Sequence, residues 1–83
     1  MKRILVLQRG WVAVGDYSES TDGNEVSLTN ASIIRRWGTT KGLGEIAANG
    51  PTKDTKLDAC PTIRVHRLGV VLSMEVAEDK WTR

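Results

Sequence analysis

The chain has 83 residues, with 12 Lys and Arg against 10 Asp and Glu. A chain this short is one domain that buries only about 60% of its unfolded surface, so its core is thin and self-association is expected to help it. One Cys and one His exclude an internal disulfide and a cysteine-based zinc site, and argue against a metal role. The weak basic balance is spread over the chain: residues 1–41 carry six basic and four acidic side chains and residues 42–83 six of each, so a positive patch has to be made by folding.

Behind Lys2 and Arg3 the apolar run Ile4-Leu5-Val6-Leu7 is too short for a secretory leader and has the length of a buried strand. With no apolar stretch of membrane-spanning length and a lone thiol, the reading is a soluble protein of a reducing, cytoplasmic compartment. Next, Asp22-Gly23 separates two strand-like runs and predicts a hairpin of residues 11–20 with 25–37. With Asp22 and Gly23 as the two turn residues of a type I′ hairpin, partners sum to 45. Tyr17 then faces Leu28, Val14 faces Ala31, Val12 faces Ile33 and Trp11 faces Ile34, apolar against apolar throughout.

After Trp37 the strand pattern breaks at Gly38, Gly42 and Gly44. Leu43 to Ala48 reads as one helical turn or a short strand, Asn49-Gly50-Pro51 as a turn, and residues 52–61 as a loop without a strand period. From Thr62 the alternation returns as a second hairpin or bent strand. Ile63 and Val65 point inward, then Val70, Leu72, Met74 and Val76 continue in the opposite phase, which requires a bulge or tight bend near Gly69. The expected fold is all-β with room for one short helical turn: a small barrel, roll or sandwich of five to six strands built on the long hairpin.

Three constellations carry chemistry. The segment Arg35 to Glu45, RRWGTTKGLGE, sets Arg35, Arg36 and Lys41 beside Thr39, Thr40 and Gly42, a composition that suits an anion held by backbone N–H groups and guanidinium. It matches neither the phosphate-binding loop nor the dinucleotide fingerprint, because Lys41 precedes Gly42. Trp37 offers a stacking face for a base, although it shares the odd-numbered side with Ala31 and Ile33 and so also reads as core. Arg64 and His66 share one side of a strand and form a second basic face, which merges with the first if that strand lies beside Arg35 and Arg36.

Catalysis has little support. Nothing in the spacing joins Cys60 to His66 as nucleophile and base, and Glu45, Asp54 and Asp58 lack the apolar settings that tune a carboxylate.

The run LTNASIIRRWGTTKGLGEIAANGP, followed by TKLD and CPTIRVHRL, resembles a group of short bacteriophage and prophage proteins whose role is not established. The resemblance spans Val26 to Leu68 and implies a phage accessory protein acting in a bacterial cytoplasm. It carries over no functional residues. The resulting expectation is a non-enzymatic homo-oligomeric binding module, without a cofactor, for an anionic nucleotide-like molecule or a host protein. A structural protein of the virion or its assembly is the alternative, and a single-stranded nucleic-acid binder the third reading.

Overall fold

Three strands form the frame: β1 (Lys2–Leu7), β2 (Val12–Glu19) and β3 (Glu25–Arg36), each antiparallel to the next. A computed structural model describes residues 1–39 and 42–81. The chain continues through a seven-residue helix α1 (Leu43–Asn49), then β4 (Lys56–Ala59), β5 (Ile63–His66) and β6 (Val70–Glu75). The sheet order is β4-β3-β2-β1-β6, and β5 also pairs with β3. At twelve residues β3 is long enough to hold both: β4 lies against Ser32–Arg36 and β5 against Glu25–Leu28. The expected all-β fold with one short helix is therefore what the chain adopts, as an open, curled antiparallel sheet rather than a closed barrel.

The hairpin register follows the sum of 45 from Asp16↔Thr29 through Tyr17↔Leu28 to Glu19↔Val26. The turn differs from the type I′ expectation. Gly23 donates its N–H to the Ser20 carbonyl at 3.0 Å and alone adopts a left-handed φ, +75°, while Asp22 Oδ1 accepts from Ser20 Oγ and the Asn24 amide. Towards the base the register moves to a sum of 46, Val14↔Ser32 and Ala13↔Ile33. An extra residue in β3 causes the shift, with Asn30 at φ +49°. So Val14 meets Ser32, not Ala31. Gly15 sits opposite the bulge, where a Cβ would lie 2.9 Å from the Thr29 carbonyl oxygen and 3.1 Å from Ala31 Cα.

β5 and β6 do not form a hairpin with each other; they lie on opposite edges of the sheet. Only the 3-10 turn Arg67–Gly69 joins them. Four Cα–Cα steps from His66 to Val70 reach at most about 15 Å. In a flat sheet these strands would be four strand spacings apart, about 19 Å. They are also offset along the strands, since His66 pairs with Glu25 at the hairpin tip and Val70 with Leu7 near its base. The short connection therefore requires the sheet to curl. Curling brings Val65 and Val70 into one cluster with Leu5, Leu7, Ala13, Tyr17, Val26, Leu28, Ala31 and Ile63.

The other face of the sheet is covered by α1 and the C-terminal segment: Leu43, Ile46, Ala47 and Trp81 pack on Ile4, Val12, Val14 and Ile34. The continuous apolar run of β1 is explained by this, because Ile4 and Leu5 are fully buried on opposite faces. The expected loop at 52–61 contains β4, whose four residues are all exposed and so carry no alternation to read. The phase change near Gly69 is the turn between β5 and β6, and a further irregularity sets Leu7 opposite Val70 and Val6 opposite Leu72. No helix among the described residues is long and apolar enough to cross a membrane.

Candidate binding site

Trp11 is the residue that sequence reasoning passed over. Arg9 at φ +66° and Gly10 at φ +81° reverse the chain between β1 and β2, and the Trp11 carbonyl accepts from the Leu7 amide at 2.7 Å. The indole is left 58% exposed. It borders a groove of about 290 Å³ lined by Gly10, Val12, Ile33, Ile34, Arg35 and Asp58. An apolar floor beside a cation, open to water, suits a planar ligand with a negative group.

Arg35 stands at the rim of this groove, and its Nε donates to Asp58 Oδ2 at 2.9 Å. Both side chains are at least half exposed, so the pair is a solvated clasp that an incoming anion competes with. Arg36 is the next residue and is opposite Lys56 in the β3–β4 ladder. Directly opposed like charges repel. Both are exposed and free of ion pairs among the described residues, and an anion placed between them relieves that repulsion.

Trp37 follows the end of β3 and is 41% exposed, so it is not core. The strand alternation that suggested burial ends with β3 at Arg36. Thr55 Oγ1 donates to the Trp37 carbonyl at 2.6 Å and Thr52 Oγ1 to the Gly38 carbonyl at 2.9 Å, strapping the turn at 52–55 onto this segment. Gly38 has φ +67°, and a Cβ there would collide with the backbone of Asp54 and Thr55. Gly42, at φ +87°, precedes α1 and accepts from the Glu45 amide at 3.2 Å. These two glycines have architectural duties. Thr39 is half-buried; Thr40 and Lys41 lie outside the described residues.

Arg64 and His66 lie on a strand beside β3, the condition set for the two basic faces to merge, but against its far half. Arg64 is opposite Ser27 and His66 opposite Glu25. Arg35 lies eight steps along β3 from Ser27, roughly 25 Å of extended chain, so the two basic faces stay apart. His66 Nδ1 accepts the Leu68 amide at 3.2 Å. Its groove is shared with Ser20, Asp22, Asn24 and Glu25, whose two carboxylates disfavour an anion.

The sequence model of the family described as a domain of unknown function, DUF6948, matches residues 1–81. The chain belongs to this family. No curated protein and no solved structure matches it. The DUF6948 match runs from β1 to Trp81, so the family unit includes both the curled sheet and the C-terminal segment that seals α1.

Proposed function

We propose that this DUF6948 protein is a non-enzymatic, oligomeric binding module that takes an anionic, ring-bearing ligand of the nucleotide class at the Trp11 end of β3. The observation that carries this reading is the exposed Trp11 indole on the same groove as Arg35, with Arg36 and Lys56 side by side in the adjoining ladder. Trp11 supplies the stacking face, Arg36 and Lys56 the charge, and Arg35 a guanidinium that Asp58 releases on binding. Trp37 continues from the same end of β3 and extends the contact. The resemblance to phage and prophage proteins gives the setting, a phage accessory function in a bacterial cytoplasm.

Calorimetry with AMP, ATP and inorganic phosphate tests the reading. Saturable binding of a nucleotide, weaker binding of phosphate, and loss of affinity in Trp11→Ala and in Arg36→Ala support it. Absence of nucleotide binding at millimolar concentration, or binding that both variants leave unchanged, overturns it. A short single-stranded oligonucleotide that outcompetes the mononucleotides, with affinity falling steeply as salt rises, would move the assignment to single-stranded nucleic acid.

A further inference from the structure

The sheet face that carries Ile4, Val12, Val14 and Ile34 is covered by two pieces that are weak on their own. α1 has seven residues, no side-chain cap at Gly42, and Gly44 in its first turn. A helix this short does not persist in water by its own propensity. The segment from Ala77 to Trp81 holds one 3-10 turn, Glu78–Lys80. Each piece leans on the other. The Ile46 carbonyl accepts from the Gly50 amide at 2.8 Å and from the Trp81 indole at 2.9 Å, so the helix end and the C-terminal segment share one acceptor. One residue on, the Ala47 carbonyl accepts from the Ala77 amide at 2.9 Å. Gly50, at φ +87°, lies so close to Lys80 that a Cβ there would come within 2.8 Å of the Lys80 carbonyl oxygen. The join to the sheet is less complete. A cleft of about 40 Å³ is lined by Pro51 and Trp81 from the cover and by Val14, Ser32 and Leu57 from the sheet, and a void forfeits contacts on both of its walls.

We infer that α1 and residues 77–81 form one lid, which opens and closes as a unit while the sheet beneath it stays folded. Each piece loses its support when the other leaves, so the two open together. The sheet survives the opening because it has a second core on its other face, where Leu5, Ala13, Val26, Leu28 and Ala31 are buried without any residue of the lid. The ladders that join β1, β2 and β3 are likewise independent of α1 and of residues 77–81. A unit held by few contacts beside a frame held by many opens at lower free energy than the whole domain. Opening uncovers Ile4, Val12, Val14 and Ile34, an apolar face that is otherwise sealed. The inference makes no use of a ligand, so it stands or falls independently of the proposed function.

Hydrogen exchange followed by nuclear magnetic resonance on the full chain, at urea concentrations that leave it folded, is the test. The amides of Ala47, Gly50, Ala77 and Trp81 and the Trp81 indole N–H should share one opening free energy and one urea dependence. They should be protected at least about tenfold less than the β2–β3 ladder. Trp81→Phe should speed exchange at Ala47, in the helix, and at Ala77 by the same factor, about fivefold. Val26→Ala, or the milder Ile63→Val, weakens the core on the other face. Either should speed exchange in the β2–β3 ladder several-fold and leave the lid unchanged. Lid amides that exchange only together with the β2–β3 ladder overturn the inference. So do unequal opening free energies at Ala47 and Ala77, a Trp81→Phe effect that does not reach Ala47, or a Val26→Ala or Ile63→Val effect as large in the lid as in the ladder.

Discussion

The indole Nε1 of Trp81 donates to the carbonyl oxygen of Ile46 at 2.9 Å, across 35 residues of sequence. That one bond joins the end of the described chain to the middle of α1. Ile46 is fully buried and Trp81 is 4% exposed, so the bond is made in the core. Trp81 packs on the sheet at the same time as it satisfies a helix carbonyl.

Trp81→Phe should therefore cost about 1 kcal/mol for the buried bond, the Ile46 carbonyl keeping the Gly50 amide as a partner at 2.8 Å. Trp81→Ala should cost about 3–5 kcal/mol, a large part of what a domain of this size has. Urea unfolding followed by far-ultraviolet circular dichroism measures both. Equal stability of native and Trp81→Phe proteins would show that the Gly50 amide alone satisfies the carbonyl.

Two glycines are expected to respond in opposite directions. Gly15→Ala drives a methyl against the Thr29 carbonyl and Ala31 backbone, so it should destabilise by about 2 kcal/mol or more and disturb the bulge. Gly44, in the first turn of α1, has open space where its Cβ would be and no positive φ. Gly44→Ala should stabilise by up to about 1 kcal/mol. Thermal melts of the two variants side by side decide the matter.

Asp16 holds the bulge from the β2 side. Its carboxylate accepts from Lys2 Nζ at 3.0 Å and from Asn30 Nδ2 at 3.1 Å. The Lys2 hydrogen bond first, and then that of Asn30, hold its pKa below the usual aspartate value. A depressed folded pKa gives stability that is present above the unfolded value, near 3.9, and is lost as the pH falls through the folded one. Asp16→Asn should thus be less stable than the native protein at neutral pH, with the difference shrinking below about pH 4. Denaturant midpoints taken across the acid range supply the check. A difference that does not depend on pH would assign the effect to geometry rather than charge.

Asp58 should restrain the proposed site. Removing it in Asp58→Ala frees Arg35, so nucleotide affinity should rise, roughly two- to fivefold, while stability changes by no more than about 1 kcal/mol because the pair is solvated. Calorimetry on this variant distinguishes an arginine that serves the ligand from one that only ties β3 to β4. Unchanged affinity alongside intact native binding would remove Arg35 from the site.

Much of the architecture is legible in the chain. Ile4 to Leu7 declares a doubly buried strand, and the apolar pairs around Asp22-Gly23 fix the hairpin register near its tip, where local turn geometry governs pairing. At the base the register reads wrongly by one residue, since Asn30 and Gly15 show no periodicity from which a bulge follows. β4 escapes notice because all four of its residues face water. Among the candidate residues, Arg35, Arg36, Trp37, Arg64 and His66 are visible as types and clusters. Trp11 is not, because the sequence pairs it inward with Ile34 and its exposure depends on the left-handed turn at Arg9-Gly10.

By itself the sequence determined the all-β class, the long hairpin and the need for a bend near Gly69, all set by side-chain alternation and short-range turn chemistry. Only the tertiary structure decided where the charges meet. β3 is long enough for β4 and β5 to dock on separate halves, which keeps Arg64 and His66 away from Arg35 and Arg36. The three-residue turn between β5 and β6 forces the sheet to curl and sets β6 at the edge beside β1. Both outcomes depend on contacts between residues far apart in the chain, and no local pattern encodes those.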